Sequence, residues 1–459
     1  EFLKTRPMLA VTNLICHHIG RNNPVSHHIL NVAIHIGAAL ALYGVVRRCL
    51  LRPRFSEGYR TNSSYLAFAI ALLWLVHPLQ TQCVTYIIQR GESMAGMFYL
   101  LILYCLLRGN EPYSYRSWWY LGAGVSFVLG FCSKEIAVTA PFAMVLFDRI
   151  FLAKSWRKMI RRRWLFYLLF AITWGGFMAW SIARAVKTDS GVGFKVAVTP
   201  LQYLFTEAEV LVYYFRLSVW PVGLTIDYQG WPGWRNTWQE AMPDLAIIGG
   251  LLLLTTFLLF WRPALGFTLA WFFIILGPTS SIMPIVDAVF EHRMYLSLAT
   301  PMVVLVIFFD WLLRLLKISL ARPLLLLLAA LALAFLTYQR NEDYRSRAAL
   351  WQCTVDRLPN CVRGRANLGQ GLLLDERYEE VIPVLEKSVE LSPSDHRASE
   401  GEGTDRDPDV DLAAVDDLQD HRIDRFACGL GAAMGMEEGG DAHEDRGQAH
   451  EGVEHRDQL

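Results

Sequence analysis

Ten apolar segments constrain the fold of this chain more than any other feature. A run of about 17–25 mostly apolar residues suits one helical crossing of a bilayer, and inside hydrocarbon a helix satisfies its own backbone polar groups. The sequence therefore predicts an all-α fold, a polytopic membrane helix bundle with about ten spans within residues 1–338. The segments run approximately over residues 27–46, 64–79, 93–108, 117–132, 136–152, 164–184, 245–261, 264–278, 294–313 and 322–338.

The charge distribution separates an acidic tail from a basic body. Residues 394–459 carry 19 Asp and Glu against 6 Arg and no Lys, which leaves the rest of the chain with 37 basic and 24 acidic residues. The tail is also poor in apolar residues, and such a composition predicts disorder. Four of its five histidines lie near carboxylates, but their spacing fits no compact metal site; they are His421, His443, His450 and His455.

Lys and Arg cluster in three loops, 47–63, 153–163 and 314–322. The positive-inside rule places all three on one side of the membrane. That requires an even number of crossings between them, which holds if residues 201–220 make no net crossing. Charged residues interrupt this segment and favour an external or re-entrant helix over the alternative, a spanning helix; they are Glu207, Glu209 and Arg216.

Four polar stretches then face the opposite, outer side: 77–92, 133–135, 185–244 and 279–293. A charged residue at the end of a membrane helix is by itself most often a snorkelling side chain. Several such residues gathered on the side that positive charge otherwise avoids indicate a functional site. The region after residue 338 lies on this same side.

Residues 339–393 form a separate soluble helical region. The spacing within this region is that of one tetratricopeptide repeat, a 34-residue pair of antiparallel helices. One repeat does not bury its own apolar face, so helix 341–358 is expected to act as a neighbour. Cys353 and Cys361 either pair in an oxidising compartment or remain free thiols. The repeat pattern is carried by Ala366, Asn367, Leu368, Gly369, Leu372, Tyr378, Val381, Leu385, Val389 and Pro393.

Several motifs together carry a resemblance to a known group. They are HPLQTQCVTYIIQRGES at 77–93, CSKE at 132–135, PFAMVLFDRIF at 141–151, EHRMYL at 291–296 and the repeat. Over residues 3–393 the chain resembles the transmembrane and tetratricopeptide-repeat (TMTC-type) proteins and their bacterial relatives, which belong to the GT-C class of membrane glycosyltransferases. In that class a first helix and an outer loop with the catalytic carboxylate precede the stretch that matches residues 6–35. We therefore expect both to lie upstream of Glu1, and this fragment alone to be inactive.

The resemblance implies transfer of a sugar, namely mannose, from a polyprenyl-phosphate donor to a protein hydroxyl on the outer or luminal face. Cationic groups at the membrane surface would stabilise the departing phosphate. The donor-phosphate candidates are Arg90, Lys134, His292 and Arg293. The candidates for orienting these groups are His77, Gln89, Glu92, Glu135, Glu291 and Tyr228.

The same resemblance implies further partners. The lipid tail of the donor needs an apolar groove between helices, which loop 185–244, with Tyr228 and Trp231, would roof. The repeat would hold an acceptor polypeptide. No cofactor is implied beyond the polyprenyl-phosphate sugar, a divalent metal is left open, and no nucleic-acid partner is expected. The expected location is a bacterial inner membrane with a periplasmic repeat, or the endoplasmic reticulum membrane with a luminal repeat.

Two other functions fit parts of the pattern. A membrane-anchored repeat scaffold without catalysis needs only one anchoring helix, whereas this chain has ten apolar segments. A transporter would carry charges at mid-membrane depth and internal repeats, whereas here the charges collect at one surface.

The abrupt change of composition near His396 generates a prediction about the coding DNA. If the acidic tail is a wrong-frame translation of a longer repeat array, one of the other two frames should encode a further repeat with an NLG-type motif. Sequencing the gene and translating all three frames tests this, and the absence of such a motif in both alternative frames rejects it.

Overall fold

The computed structural model describes residues 6–21, 23–112, 115–153, 155–185 and 198–391, all of which belong to one compact unit. The predicted acidic tail, residues 394–459, and Pro393 lie outside the described residues. The regular elements of the described part are helices, which confirms the all-α fold class.

Every predicted apolar segment coincides with helical structure. The bundle begins with α1 (Pro7–Gly20), α2 (Val25–Leu50), α3 (Glu57–Thr61), α4 (Ser63–Leu75), α5 (Thr81–Val84), α6 (Arg90–Arg108), α7 (Arg116–Phe131), α8 (Ala140–Phe147) and α9 (Trp156–Ala185). It continues with α10 (Pro200–Val219), α11 (Trp238–Trp261), α12 (Pro263–Leu276), α13 (Met294–Ser297), α14 (Ala299–Leu315) and α15 (Arg322–Glu342).

Several apolar segments are not single straight helices. The chain bends by 58° between α4 and Pro78–Val84, and by 53° between Glu291–Ser297 and α14. At the first bend, Pro78 begins a short 3-10 helix whose N-terminus is capped by the His77 side chain. A proline has no backbone N–H, so it is well suited to the first turn of a helix. Segment 136–152 is likewise divided into a 3-10 helix, α8 and a π-helical turn.

By length and composition, four of the described helices can cross a membrane alone, namely α2, the helix Ile87–Gly109, α11 and α15. The number rises to six if each bent pair is one span. The shorter helix α12 is apolar as well. The polytopic membrane bundle is therefore present, and the count of ten spans stays a prediction.

Helix α6 lies at the centre of the bundle, and most of its side chains are buried. It packs against α2, α7 and the segment around α13. Close approach depends on small residues: a Cβ on Gly96 would lie 2.6 Å from the Tyr295 ring, and one on Gly44 would lie 2.6 Å from the Tyr104 ring. Glycine is needed at these two positions because any larger residue would push the helices apart.

The three basic loops meet at one end of the bundle, which we name the basic end. Arg54 donates a hydrogen bond to the Ile150 carbonyl, beside loop 153–163. Arg314 donates to the Gly58 carbonyl at 3.5 Å. These contacts agree with the even number of crossings inferred from the loop charges.

Helix α10 contacts the polar stretches 77–92 and 279–293. We name the end of the bundle that holds these stretches the polar end. Near the start of α10, the Tyr203 hydroxyl donates to the Thr279 carbonyl at 2.5 Å. Near its finish, the Ser218 carbonyl lies 3.2 Å from His77 Nε2. Both partners belong to the polar end, so this geometry favours the external or re-entrant reading of residues 201–220.

The region after the bundle forms α16 (Arg347–Arg357), α17 (Val362–Leu374) and α18 (Tyr378–Leu391). Helices α17 and α18 pack antiparallel, and Gly369 leaves room for Leu385, which lies 2.5 Å from an ideal Cβ at that position. Helix α16 supplies Ala348 and Val355 to the same small core, which includes Val381. Cys353 and Cys361 are free thiols in the structure.

One buried ion pair at the basic end generates a stability prediction. Arg163 Nη1 lies 2.7 Å and 2.8 Å from the two Asp148 carboxylate oxygens, and both side chains are almost fully buried. Removing one partner of such a pair leaves an uncompensated charge and costs about 3–5 kcal/mol. We expect Arg163→Met to lower the thermal unfolding temperature of the detergent-purified protein by several degrees, because the folded state loses this free energy.

The matched control is Arg161→Met, which removes an exposed arginine from the same helix. Arg161→Met should leave the thermal unfolding temperature unchanged. Combining Arg163→Met with Asp148→Asn should recover part of the lost stability, because the orphaned negative charge is then absent. Equal unfolding temperatures for the Arg163 and Arg161 variants would show that the Arg163–Asp148 ion pair does not stabilise the fold.

Candidate functional site at the polar end

The segment Glu291–His292–Arg293 forms a buried 3-10 turn at the polar end. Glu291 Oε1 accepts hydrogen bonds from the Thr225 N–H at 2.5 Å and the Tyr228 hydroxyl at 2.7 Å. Its other oxygen lies 3.8 Å from Arg340 Nη2 at the end of α15. Glu291 therefore joins the external loop, with Tyr228, to the last bundle helix.

His292 is held by α5. Gln82 Oε1 accepts from the His292 backbone N–H at 2.7 Å and lies 3.2 Å from its Nδ1. The ring also stacks on Phe290, with centroids 4.9 Å apart. The Gln82 amide group in turn donates to the Ile226 carbonyl at 3.1 Å. Gln82 was not among the predicted site residues, although it lies inside the HPLQTQ motif.

Arg293 is buried, and two backbone carbonyls orient it. Its guanidinium donates to Ala288 at 2.5 Å and to Asp287 at 2.7 Å. Its nearest carboxylate is Glu207 Oε1 at 3.9 Å, which is too long for a hydrogen bond. The sequence analysis noted Glu207 only as an interruption of an apolar segment, and the structure places it beside Arg293.

Lys134 lies across the polar end from this turn and pairs with α6. Its ammonium lies 2.6 Å from Glu92 Oε2 and donates to Gln89 Oε1 at 3.2 Å. Glu92 is nearly fully buried, whereas 14% of the Lys134 side chain is exposed. An ammonium has three donors, so these two contacts leave one available. The structure thus brings together three predicted residues, Lys134, Glu92 and Gln89.

Arg90 is fully buried and engaged by neutral groups. It donates to Asn31 at 2.5 Å and to Asn13 at 3.0 Å, contacts the Cys16 thiol at 3.6 Å, and lies 2.9 Å from His27 Nδ1. These partners come from α1 and α2, so the guanidinium ties both helices to the start of α6. This arrangement favours a positioning role for Arg90 over direct contact with phosphate.

The remaining predicted residues lie apart from this cluster or serve the backbone. His77 is buried and caps the short helix that follows, with Nδ1 accepting from the Leu79 N–H at 3.2 Å. Glu135 lies at the surface and pairs with Arg6 at 3.2 Å.

The helical region after the bundle docks on the loops that carry Asp227 and Asp287 through Arg363, at the start of α17. Its guanidinium binds Asp227 and also donates to Asp287 Oδ1 at 2.7 Å. Burial alone would lower the pKa of Arg363, but these two carboxylates raise it above its usual value. Thr225 and Thr354 add a hydroxyl contact at 2.8 Å. Sequence reasoning missed this contact because no local pattern links residues so far apart in the chain.

An apolar groove opens at Cys132, two residues before Lys134 in the chain. It has a volume of about 430 Å³ and lies between the start of α1, the end of α7 and α9. Its lining residues include Pro7, Phe131, Cys132, Ile172, Phe177 and Trp180. Within the described residues, no group of three or more His, Cys, Asp or Glu side chains has the geometry of a metal site.

Comparisons with known proteins agree with this picture. Residues 6–183 match the family model described as Dolichyl-phosphate-mannose-protein mannosyltransferase. The chain is 31% identical over 153 residues to Protein O-mannosyl-transferase TMTC2 of Homo sapiens, covering 32% of this chain and 17% of the relative. It is 27% identical over 158 residues to Protein O-mannosyl-transferase TMTC4 of Homo sapiens, covering 32% of this chain and 21% of the relative.

The chain thus spans about a fifth of the length of the curated relatives it matches. No solved structure gives a significant match. Over residues 6–183 the chain is thus similar to the dolichyl-phosphate-mannose-protein mannosyltransferase family and to TMTC-type proteins, in agreement with the shared motifs and the helical membrane bundle.

Proposed function

We propose that the protein transfers mannose from a polyprenyl-phosphate donor to a protein hydroxyl at the polar end of the bundle. The observation that carries this proposal is the Glu92–Lys134 pair, in which Lys134 follows closely in the chain on Cys132, a lining residue of the apolar groove. Both residues lie within the part that matches the mannosyltransferase family model. The curated relatives are named protein O-mannosyl-transferases, which supports the same class of reaction.

Lys134 is the best candidate for contact with the donor phosphate. As the phosphate leaves, negative charge grows on its oxygens, and a fixed cation stabilises that charge most effectively where water is scarce. Lys134 is partly exposed, has one donor free, and is oriented by Glu92 and Gln89. The neighbouring groove would then hold the first isoprenoid units of the donor.

Arg293 supplies a second cation. The backbone carbonyls of Ala288 and Asp287 hold its guanidinium in place. Its separation of 3.9 Å from Glu207 leaves it without a close, charge-assisted hydrogen bond to a carboxylate. An arriving phosphate would offer Arg293 such a bond. His292, stacked on Phe290 and held by Gln82, lies next to it and would assist as a donor.

The carboxylates of the predicted site are already engaged. Glu92 pairs with Lys134, Glu135 with Arg6, and Glu291 with Tyr228, Thr225 and Arg340. A general base must reach the acceptor hydroxyl with a free oxygen. We therefore assign these three residues to orienting the cations and loops, and assign none of them as the base.

Substitutions at the two cations test this function in membranes containing the full-length protein. We expect Lys134→Ala and Arg293→Ala each to reduce transfer of labelled mannose from polyprenyl-phosphate-mannose to protein by about 100-fold or more, the usual loss on removing one charge-stabilising donor. The matched control is Arg216→Ala, an exposed arginine on α10. It should keep normal transfer.

Protein amounts must be equal by immunoblot for each variant. Full transfer by both alanine variants would refute the site while leaving the fold intact. No transfer by the wild-type protein from any polyprenyl-phosphate sugar would favour the membrane-anchored repeat scaffold.

The contact of the repeat with the loops leads to a second prediction, which concerns the acceptor polypeptide. Replacing Arg363 by Ala removes both ion pairs with the outer loops and leaves Asp227, which is only 5% exposed, without its partner. Loss of a charged hydrogen-bond partner costs about 1.5–3 kcal/mol. We expect faster hydrogen exchange in α16 and α17, and weaker transfer to polypeptides that contact the repeat.

Arg377→Ala is the control, because Arg377 forms an exposed pair within α18 and touches no outer loop. Transfer to a short peptide acceptor should persist in the Arg363 variant, since the membrane site is unchanged. Unaltered hydrogen exchange in α16 and α17 would show that the docking contact is dispensable.

A further inference from the structure

A large apolar cavity lies at the basic end, away from the site described above. It has a volume of about 690 Å³, within the range of about 300–1,000 Å³ typical of ligand pockets. On α2 its lining extends from Leu42 to Leu50, which at about 1.5 Å per residue corresponds to a depth of about 12 Å. Its buried lining residues include Ile70, Leu100 and Trp271.

Many of the residues that line this cavity are buried side chains of the bundle, whereas Trp261 and Leu265 in the lining are exposed. Phe147, Phe267 and Leu103 each line it and are less than a tenth exposed. Protein interiors contain few voids larger than a water molecule. Apolar cavities do not hold ordered water, so an empty space of this size would leave its lining without packing contacts. A hydrocarbon chain would supply those contacts.

The two threonines of the lining, Thr268 and Thr300, offer no recognition of a polar ligand. The Thr268 hydroxyl donates to the Ala264 carbonyl at 3.0 Å, and the Thr300 hydroxyl donates to the Thr268 carbonyl at 2.6 Å. Both hydroxyl protons are therefore used within the protein. The interior of the cavity suits an alkyl chain better than a sugar, nucleotide or peptide.

The mouth of the cavity is cationic. Arg54 and Arg262 line it, and among the ion pairs of the described residues neither has a carboxylate partner. Nearby, the Arg52 Nη2 and Arg149 Nε atoms are buried without a hydrogen-bond partner. By contrast, acidic residues elsewhere at this end are already paired: Asp310 with Arg314 and Arg322, and Asp148 with Arg163.

We propose that this cavity binds an acyl chain of an anionic phospholipid from the leaflet at the basic end, with the headgroup phosphate held by Arg54 and Arg262. Arginine suits phosphate because its planar guanidinium donates two parallel hydrogen bonds. The chain fills the space between α2, α6, α8, α12 and α14. This binding site is separate from the donor site at the polar end, so the two proposals stand or fall independently.

Photo-crosslinking to the full-length protein in detergent tests the proposal. The probe is phosphatidylglycerol with a diazirine on one acyl chain, compared with phosphatidylcholine that carries the same acyl chain. We expect phosphatidylglycerol to label peptides from α2 and α12 that line the cavity, several-fold more strongly than phosphatidylcholine. Equal labelling by the two lipids, or labelling confined to lipid-facing residues such as Leu253, would overturn it.

Two variants separate the headgroup from the chain. Arg54→Gln with Arg262→Gln should abolish the preference for phosphatidylglycerol, while Arg60→Gln, an exposed arginine in the same loop that does not line the cavity, should retain it. Ala264→Trp places a large ring at the mouth and should block labelling by both lipids. Leu253→Trp, on an exposed face of α11, should have no effect.

Thermal stability gives a readout that does not depend on the crosslinker. Micelles with phosphatidylglycerol should raise the transition temperature of the wild-type protein by several degrees, and inorganic phosphate alone should not. Ala264→Trp should lose this lipid-dependent increase. If that variant folds and still gains the full increase, the cavity is not the binding site.

Discussion

Charges buried at one end of an apolar bundle must find partners, and this requirement organises the polar end. An unpaired charge in low-dielectric surroundings is far more costly than a paired one. Glu291, which is fully buried, is therefore held by two elements: the loop before α11 supplies the hydrogen bonds of Thr225 and Tyr228, and α15 supplies the positive charge of Arg340 at 3.8 Å. These contacts join elements that are far apart in the sequence.

The short helix α5 connects the two parts of the polar end. Its Gln82 holds the backbone of His292, and the thiol of Cys83 lies 3.6 Å from the carbonyl of the same residue. The chain then enters α6, whose first turn carries Arg90 and Glu92. The segment from residue 77 to 92 is thus a scaffold for the polar end as well as a source of charged side chains.

The two ends of the bundle differ in the way their charges are used. At the polar end, arginines and acids contact each other and the backbone, and Lys134 and Arg293 are the two cations that we assign to the phosphate. At the basic end, Arg54 and Arg262 stand at an apolar cavity. Both arrangements pair cations with a neighbouring apolar space, which is the chemistry of a phosphate-bearing lipid.

Hydropathy and loop charge were sufficient to predict the helical membrane bundle and the grouping of polar stretches, because both depend on local composition. The hairpin of α17 and α18 followed from the spacing of residues such as Leu372 and Val381. Partner choice did not follow from composition, since Arg90 and Arg293 look alike in the sequence. Packing gave Arg90 neutral partners and placed Glu207 beside Arg293. Contacts between residues more than a hundred positions apart, such as Arg363 with Asp227, exist only once the chain has folded.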